Sequence, residues 1–422
     1  MVSLHKVLIA RAPQIKYDLT LHYSFTDFGE IIGFLEKEKD LVIDVLDGTT
    51  LRFLKCDFIK AFLKKYDLVI FLSYIDDLEA TLEMINLCKF FSRETKILVY
   101  GPSCYYVPKI FKNVDALVVN GDWELGIINY IKYLKNKTQN LYGIYLPQEN
   151  ISFKPGKLLN SKDWAFPALN RLPINDYWFL LNKKSYLLNE GNKQISITIS
   201  RGCPFQCINC KASKVFGIKE RRRPVKDVIY FMKLHNSEFN LFQMFSPTFT
   251  YNQKWVDKFC KELIKQKLNI KWKCCTRIDY LNEKIIAQMA KAGCISIGLG
   301  IESLGKSRKK MGKNFDNQSI FRVIKLLQKY GIQPKAYIMI GIPGQTKDEI
   351  ILTIKTLFNM GVKIRPSAYC PYQDITSKNA SEISKMDRLT YYKNNIKGLT
   401  KTELLNIIFN RDETFRRIAN GI

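Results

Sequence analysis

Histidine is scarce in this chain. Its 422 residues hold three, His5, His22 and His235, and none lies near the one compact group of cysteines. A mixed Cys/His zinc site of the usual structural kind is therefore not expected. No stretch reaches the ~18 to 20 uninterrupted apolar residues that a membrane span needs. No secretory leader is read at the start, where Met1 to Ala12 carries His5, Lys6 and Arg11 and reads as a first strand. No Gly-x-Gly-x-x-Gly follows that strand; Arg11-Ala12-Pro13 stands there instead, which argues against a dinucleotide. Acidic residues are also short, 39 Asp and Glu against 66 Lys and Arg, for a net charge of +27. Such an excess favours an anionic partner: a phosphorylated metabolite, a nucleotide or RNA. The cations are 50 Lys and only 16 Arg, however, with many Asn and Ile, which looks like compositional bias. Phosphate recognition leans more on Arg. The basic run Lys219 to Lys226, with Arg221-Arg222-Arg223, reads as a solvated face before a helix. Nucleic acid is the less favoured partner.

What is present is enough for two or three domains, with 46% apolar and 13% aromatic residues to build cores. The most informative run is Arg201-Gly202-Cys203-Pro204-Phe205-Gln206-Cys207-Ile208-Asn209-Cys210. Three thiolates on one tight loop suit three corners of a cubic iron–sulfur cluster and leave one iron open to a substrate or cofactor. Structural zinc usually takes four ligands, and a disulfide with a spare thiol suits a secreted chain. The other cysteines, Cys56, Cys88, Cys104, Cys260, Cys274, Cys275, Cys294 and Cys370, are scattered in mostly apolar stretches. They read as core residues of a reducing cytoplasm.

Up to about Leu134, β-rich runs alternate with amphipathic ones. Strands are expected at Lys6–Ala10, Leu41–Leu46, Leu68–Leu72, Lys96–Tyr100 and Ala116–Asn120. Helices are expected near Thr26–Glu38, Phe53–Lys64, Leu78–Phe91 and Glu124–Lys135. Helical crossovers imply parallel pairing, hence a five-stranded doubly wound sheet with its crevice beyond the carboxyl ends of the strands. Ser73-Tyr74, Gly101-Pro102-Ser103 and Asn120-Gly121-Asp122 stand at those ends, small or turn-forming residues that let backbone approach a large flat ligand. On spacing alone the domain could equally be a receiver-like or structural module. From 135 to 194 the prolines Pro147, Pro155, Pro167 and Pro173 break any long element. This reads as a surface linker anchored by Trp164 and Trp178, with Pro167 to Pro173 packed at the domain junction.

A second alternation follows. Strands are expected at Ile195–Ser200, Leu241–Phe245, Lys271–Thr276, Ile295–Ile301, Gln333–Ile340 and Lys363–Tyr369. Helices are expected at Val225–His235, Gln253–Gln266, Glu283–Lys291, Ile320–Tyr330 and Lys347–Met360. Six β/α units suit a partial or complete barrel, whose reactive groups gather at the carboxyl ends of the strands. The three cysteines follow the first of these strands, Glu302 ends the fourth and Gly341-Ile342-Pro343-Gly344 ends the fifth. One rim collects them all.

Those residues carry a resemblance. The Cys203, Cys207, Cys210 spacing resembles that of the radical S-adenosylmethionine (SAM) superfamily. Further motifs lie in Trp272 to Asp279, Gly293 to Ser303 and Tyr337 to Thr346. The first half resembles a cobalamin-binding domain through Tyr100 to Pro108 and Val114 to Glu124. Together they look like the cobalamin (B12)-dependent radical SAM enzymes, chiefly methyltransferases. The resemblance implies an α/β chain: a Rossmann-like cobalamin domain over 1–140, a linker over 141–194, a partial (β/α)6 barrel over 195–371 and a helical segment over 372–422.

It also implies cofactors and roles. A [4Fe-4S] cluster on Cys203, Cys207 and Cys210 would chelate S-adenosylmethionine. One-electron cleavage would yield a 5′-deoxyadenosyl radical that activates an unreactive carbon, and methylcobalamin would supply the methyl group. Gly300, Gly341 and Gly344 would lie against SAM, Glu302 would bond its ribose and Arg277 its carboxylate. Ser73, Gly101, Pro102, Ser103, Tyr105, Gly121 and Asp122 would face cobalamin. The expected substrate is a small molecule or peptide, anionic if the charge is functional, and the electron donor a flavodoxin or ferredoxin.

This chain departs from the family pattern in three places. Asn209 replaces the usual aromatic before the third cysteine, and Ser246-Pro247-Thr248-Phe249-Thr250 ends the second barrel strand where small or acidic residues usually hold the SAM amino group. No Asp-x-His-x-x-Gly supplies a lower cobalt ligand, so cobalamin would be held with that face free or near Tyr105 or Tyr106. Amphipathic stretches at Lys385–Lys397 and Thr402–Phe409 suggest two helices closing the barrel, with Tyr369 and Tyr372 as possible substrate contacts. The alternatives are a radical rearrangement or cyclisation with the same cofactors, a radical SAM reaction on tRNA, and a plain iron–sulfur electron carrier.

Overall fold

The computed structural model describes residues 4–13, 21–49, 55–149, 154–177, 193–208, 210–268, 270–372, 375, 378–386, 391–392 and 396–421. They form two compact units: Met1–Asn192 with Lys214–Gly217 and Tyr372–Lys385, and Lys193–Ser213 with Ile218–Pro371 and Met386–Ile422. Among the described residues, no helix is long and apolar enough to cross a membrane.

The first unit is a doubly wound sheet. Its strands are β1 (Lys6–Arg11), β2 (Val42–Asp47), β3 (Leu68–Leu72), β4 (Lys96–Tyr100), β5 (Ala116–Val118) and β6 (Ile144–Tyr145), ordered β2-β1-β3-β4-β5-β6. The first five are parallel. The run Leu-Val-Ile-Phe-Leu of β3 is buried throughout, as a strand covered on both faces must be. The order reverses between β1 and β3, which sets the crevice at their carboxyl ends.

Most expected elements are present, with helices at Leu21–Leu35, Lys55–Phe62, Leu78–Phe91 and Trp123–Leu134. One detail corrects the sequence reading. A sixth strand, antiparallel to β5, joins the five expected ones. It begins after Gly143, whose positive φ of 70° and carbonyl bond to Val119 N (2.9 Å) turn the chain back. Pro167 to Pro173 packs within this unit on the Leu21–Leu35 helix, where Ala168 N donates to Gly29 O at 3.0 Å. Trp164 is buried as expected of an anchor. Trp178 lies outside the described residues.

In the second unit the strands are β7 (Gln194–Thr198), β8 (Ser200–Arg201), β9 (Arg221–Arg222), β10 (Leu241–Phe245), β11 (Lys271–Thr276), β12 (Cys294–Glu302), β13 (Gln333–Ile340) and β14 (Lys363–Ala368). Six of them make an all-parallel sheet in the order β14-β13-β12-β11-β10-β7. Helices Val225–His235, Gln253–Lys265, Glu283–Lys291, Asn317–Lys329 and Lys347–Asn359 alternate with them. Trp272 of β11 shows why the helical layer adheres. It is fully buried with its ring 5.3 Å from Phe249 and 5.4 Å from Phe259.

The basic run is not a solvated face. Arg221–Arg222 pairs as β9 with β8. Arg222 donates to Phe249 O at 2.8 Å and pairs with Glu220, and Arg223 is buried with Nε 3.0 Å from Thr198 O. These guanidiniums are spent on protein oxygens. In the tail, the helix expected at Thr402–Phe409 is present. Helices occupy Ala380–Ser384, Lys401–Phe409 and Arg411–Asn420, while the described residues of 385–397 are not helical. Residues 387–390 and 393–395 of that other expected helix lie outside the described residues.

Candidate functional site

The cysteine loop lies between the paired strands β8 and β9, and Gly202, directly after β8, turns with a φ of 79°. Cys203 is buried, whereas Cys207 and Cys210 are half-exposed, and Cys210 N donates to Cys207 O at 3.0 Å. None of the three is in a disulfide. Burial pushes the Cys203 and Cys210 thiols up, and each of the two is raised further by neighbouring cysteines of the loop. Three free thiols on one loop suit separate corners of one cube. Among the described residues no three His, Cys, Asp or Glu side chains converge as a single-ion site would require. Thr248, from the segment after β10, places its hydroxyl 4.0 Å from Cys203 Sγ. Asn209 lies outside the described residues.

Arg277 follows β11 and reaches the same loop. Its Nη1 is 3.7 Å from Cys207 Sγ and its guanidinium lies 4.2 Å from the centre of the Phe205 ring. Asp279 takes the other edge of the fork, at 2.9 Å from Nε and 2.7 Å from Nη2. The carboxylate that Arg277 holds here is thus the protein's own.

The next strand ends in an irregularity. The β12–β13 register shifts between Gly300 and Glu302, and Glu302 takes a left-handed φ of 64°. A non-glycine residue in that region is uncommon and is held there by its surroundings. The holder is Lys313, which donates to Gly300 O at 2.7 Å and to Glu302 Oε1 at 2.6 Å. A Cβ at position 300 would occupy the place of the Lys313 ammonium. Gly312 sits 3.8 Å, measured from where its Cβ would be, from the Cys207 backbone. Lys313 follows Gly312 directly in the chain and so ties Glu302 to the segment that approaches this loop. The fourth strand's end therefore meets the cysteine loop.

Gly341 and Gly344, after β13, have φ values of 97° and 76°. Buried Gln345 fastens this turn, accepting from Gly341 N at 2.8 Å and donating to Met339 O at 3.1 Å. Lys310 covers Gly344 and donates to Pro343 O at 2.9 Å. Lys313 and Gln345 were not singled out in the sequence. The run Lys309-Lys310-Met311-Gly312-Lys313 was the available signal for the first, being a glycine between lysines just past a strand end.

In the first unit, Ser73, Gly101 and Ser103 form one packed turn beyond β3 and β4. Ser103 Oγ donates to Ser73 O at 2.9 Å, and the Ser73 carbonyl fills the space a Cβ on Gly101 would need. Pro102 is buried behind them. Gly121 meets the backbone of Gly156 and Lys157, and Asp122 accepts from Leu159 N at 2.8 Å. The bareness of both glycines thus serves chain-to-chain packing. Tyr105 is exposed, with its ring 5.1 Å from Tyr106, which lies 6.0 Å from Tyr372 in the same unit. Tyr369 is buried against Met311 and Ile342.

Residues 197–357 match the radical SAM superfamily. The chain is 26% identical over 283 residues to the uncharacterized methyltransferase PH0819 of Pyrococcus horikoshii, covering 64% of this chain and 59% of that one. It thus spans less than two thirds of that relative's length. The fold is shared with the radical SAM methyltransferase TsrM of Kitasatospora setae, solved with cobalamin and a [4Fe-4S] cluster bound. There the TM-score is 0.69 at 13% identity, over 86% of this chain and 72% of that one. It is also shared with the cobalamin-dependent SAM radical enzyme OxsB, at a TM-score of 0.68 and 15% identity, over 99% of this chain and 62% of that one.

Proposed function

The chain belongs to the radical SAM superfamily through residues 197–357, and on that premise we propose that it is a cobalamin-dependent radical SAM methyltransferase acting on an unactivated carbon. The observation that carries this reading is the approach of Gly312 to the Cys207 backbone beside Lys313, which holds the Gly300–Glu302 bulge. Cys203, Cys207 and Cys210 would hold the cluster. When bound, the cluster and cobalamin supply reductive SAM cleavage and methyl transfer, which no side chain can provide.

The chain's own residues bind and orient. Glu302 presents a carboxylate on a backbone that the bulge fixes, with Oε1 on Lys313, and its second oxygen suits a ribose hydroxyl. Lys313 brings a cation to the rim, suited to the carboxylate of an amino acid. Arg277 brings its guanidinium to the cysteine loop, with Nη1 3.7 Å from the Cys207 sulfur. Gly341 leaves open space, since a Cβ there would meet nothing nearer than 3.8 Å. In the first unit the ends of β3 and β4, with Ser73, Gly101, Pro102, Ser103 and exposed Tyr105, are the edge offered to cobalamin. The Rossmann-like part over 1–140, the linker over 141–194, the barrel over 195–371 and the helices beyond divide the work. An electron donor such as flavodoxin or ferredoxin, in a reducing cytoplasm, completes the set.

The test is anaerobic reconstitution with iron, sulfide, SAM and cobalamin. Both S-adenosylhomocysteine and 5′-deoxyadenosine should form, together with a cobalamin absorption spectrum on the protein. Failure to bind cobalamin while SAM is still cleaved would overturn the methyltransferase reading and leave a cobalamin-independent radical enzyme.

A further inference from the structure

The first unit carries an open groove at the β6 end of its sheet, away from the crevice between β1 and β3. Its volume is about 330 Å³, the size of a site for a small organic molecule. The helix Trp123–Leu134 supplies one wall through Leu125, Ile128, Asn129 and Lys132, and the chain around Thr138, Tyr142 and Lys157 supplies the other. Among the described residues, none of those lining the groove is acidic.

Backbone contacts fix the second wall. Tyr142 pairs with Lys154 in a parallel bridge, Gly143 N donates to Lys154 O at 2.8 Å, and Asp122 N donates to Lys157 O at 3.0 Å. Gly156 lies between the two lysines and donates from N to Asn120 Oδ1 at 3.1 Å. The Asn120 carbonyl stands where a Cβ on Gly156 would be, so only glycine allows this approach. Tyr142 then gathers the side chains. Lys157 Nζ lies 4.1 Å and Lys154 Nζ 5.7 Å from its ring centre.

The polar side chains sort into engaged acceptors and open donors. Asn129 Oδ1 accepts from Tyr142 N at 3.0 Å, Asn140 Oδ1 from Lys154 Nζ at 2.7 Å, and Thr138 Oγ1 from Asn140 N at 3.1 Å. These bonds orient both amides with their NH2 groups left to donate, and the threonine hydroxyl keeps its hydrogen. Among the described residues, no carboxylate pairs with Lys132 or Lys157. A lysine-rich composition accounts for exposed ammoniums. It does not account for neutral neighbours whose acceptors are all engaged, so that a ligand meets donors from every side.

We infer that this groove is a binding site for a phosphate ester with an apolar body, distinct from the cluster and cobalamin sites of the proposed enzyme. Lys132 and Lys157 match the charge of a phosphomonoester, which is about −1.5 to −2 at neutral pH. The open donors of Asn129, Asn140 and Thr138 suit its three oxygens. Leu125 and Ile128 give the apolar body a surface to cover. A single carboxylate has one charge and would leave one of the two ammoniums unmatched. The groove uses neither the cysteine loop nor the β1/β3 crevice, so it stands or falls separately from them.

Calorimetric titration of phenyl phosphate into the anaerobically reconstituted full chain tests this. Inorganic phosphate, phenol and sodium chloride at matched ionic strength are the comparisons. Phenyl phosphate should saturate a single site, several-fold more tightly than inorganic phosphate, and phenol should not bind. Lys157→Gln and Lys132→Gln should each weaken phenyl phosphate about tenfold. Lys157→Arg should largely retain it, and exposed Lys254→Gln should not change it. Circular dichroism on each variant confirms that it is folded. No binding above chloride, equal binding of inorganic phosphate, or undiminished binding in folded Lys132→Gln and Lys157→Gln would each overturn the site. So would an equal loss in every lysine variant including Lys254→Gln, which would mark unspecific charge. Iron content and reductive SAM cleavage, followed in parallel, should be the same in the wild type and in these variants. Loss of cleavage in the wild type removes the proposed enzyme alone, and loss of phenyl phosphate binding with cleavage intact removes this groove alone.

Discussion

Lys313 places its ammonium 2.6 Å from the Glu302 carboxylate, and the pair is nearly closed to solvent, with side-chain exposures of 9% and 13%. Removing one partner of a sheltered pair leaves an uncompensated charge, which costs about 3 to 5 kcal/mol when burial is complete. Lys313→Met should therefore destabilise the chain by about 2 to 3 kcal/mol, a little less because the pair retains some water contact. Adding Glu302→Gln should restore part of the loss, giving a coupling of about 1 kcal/mol or more in a double-mutant cycle followed by urea unfolding. Additive effects would mean that the two side chains do not support each other. Gly300→Ala reaches the same pair from another side, because its methyl group would stand where the Lys313 ammonium sits. It should lower SAM cleavage while leaving iron content intact.

The loop cysteines separate from the other thiols by a simple count. Cys203→Ala, Cys207→Ala and Cys210→Ala should each lose most of the roughly four irons expected per chain, along with SAM cleavage. Cys275→Ala, at a thiol that touches Tyr337 (3.4 Å), should keep its iron. Iron and sulfide analysis of anaerobically prepared variants decides between them. Full iron retention in Cys207→Ala would remove the cluster assignment.

How much of this was legible in the sequence depends on the scale of the interaction. Leu78–Phe91, Leu241–Phe245 and Glu283–Lys291 match their expected bounds because local apolar period and flanking residues fix them. Tyr145 and Arg221 were missed as strand residues because two-residue strands carry no period to read. Glu302 was legible as a strand-end acid, but its bulge was not, since a register shift belongs to the pairing of two strands. The shelter around Lys335 was hidden for a related reason. Alternation gives two faces, and only the covering helices decide which of them is sheltered by protein. Arg277 and Asp279, two residues apart, illustrate the opposite case. The proximity is in the sequence itself, two positions apart just past one strand end.

Arg277 holds its charge against the Cys207 sulfur, 3.7 Å away. A nearby cation stabilises the more negative, reduced state of a metal–thiolate centre. Arg277→Gln should therefore lower the cluster's midpoint potential and slow SAM cleavage several-fold at fixed reductant strength. Anaerobic potentiometry followed by electron paramagnetic resonance measures this directly. Asp279→Asn should shift the potential the other way, by freeing the fork that Asp279 now neutralises. Equal potentials in all three proteins would reduce Arg277 to a packing role over Phe205.

Lys335 supplies a pH signature with a definite sign. In the folded chain it titrates at about 8, depressed by burial and then by Arg365 and Lys363, with Arg411 adding and Cys275 opposing. In the unfolded chain a lysine titrates near 10.4. Between those two values the unfolded chain carries the extra proton, so this residue makes stability rise with pH from about 8 toward about 10.4. Below 8 both states are charged and the whole deficit is present, at most about 3 kcal/mol. Lys335→Met should then be more stable than the wild type at pH 7, by about 1 to 3 kcal/mol after relaxation of its surroundings. The advantage should shrink by pH 9.5. Urea unfolding at the two pH values reads both terms at once. A variant less stable than wild type at pH 7 would show that the lysine stem is packing material. A variant that gains stability would show a cation held at a cost that folding alone does not explain.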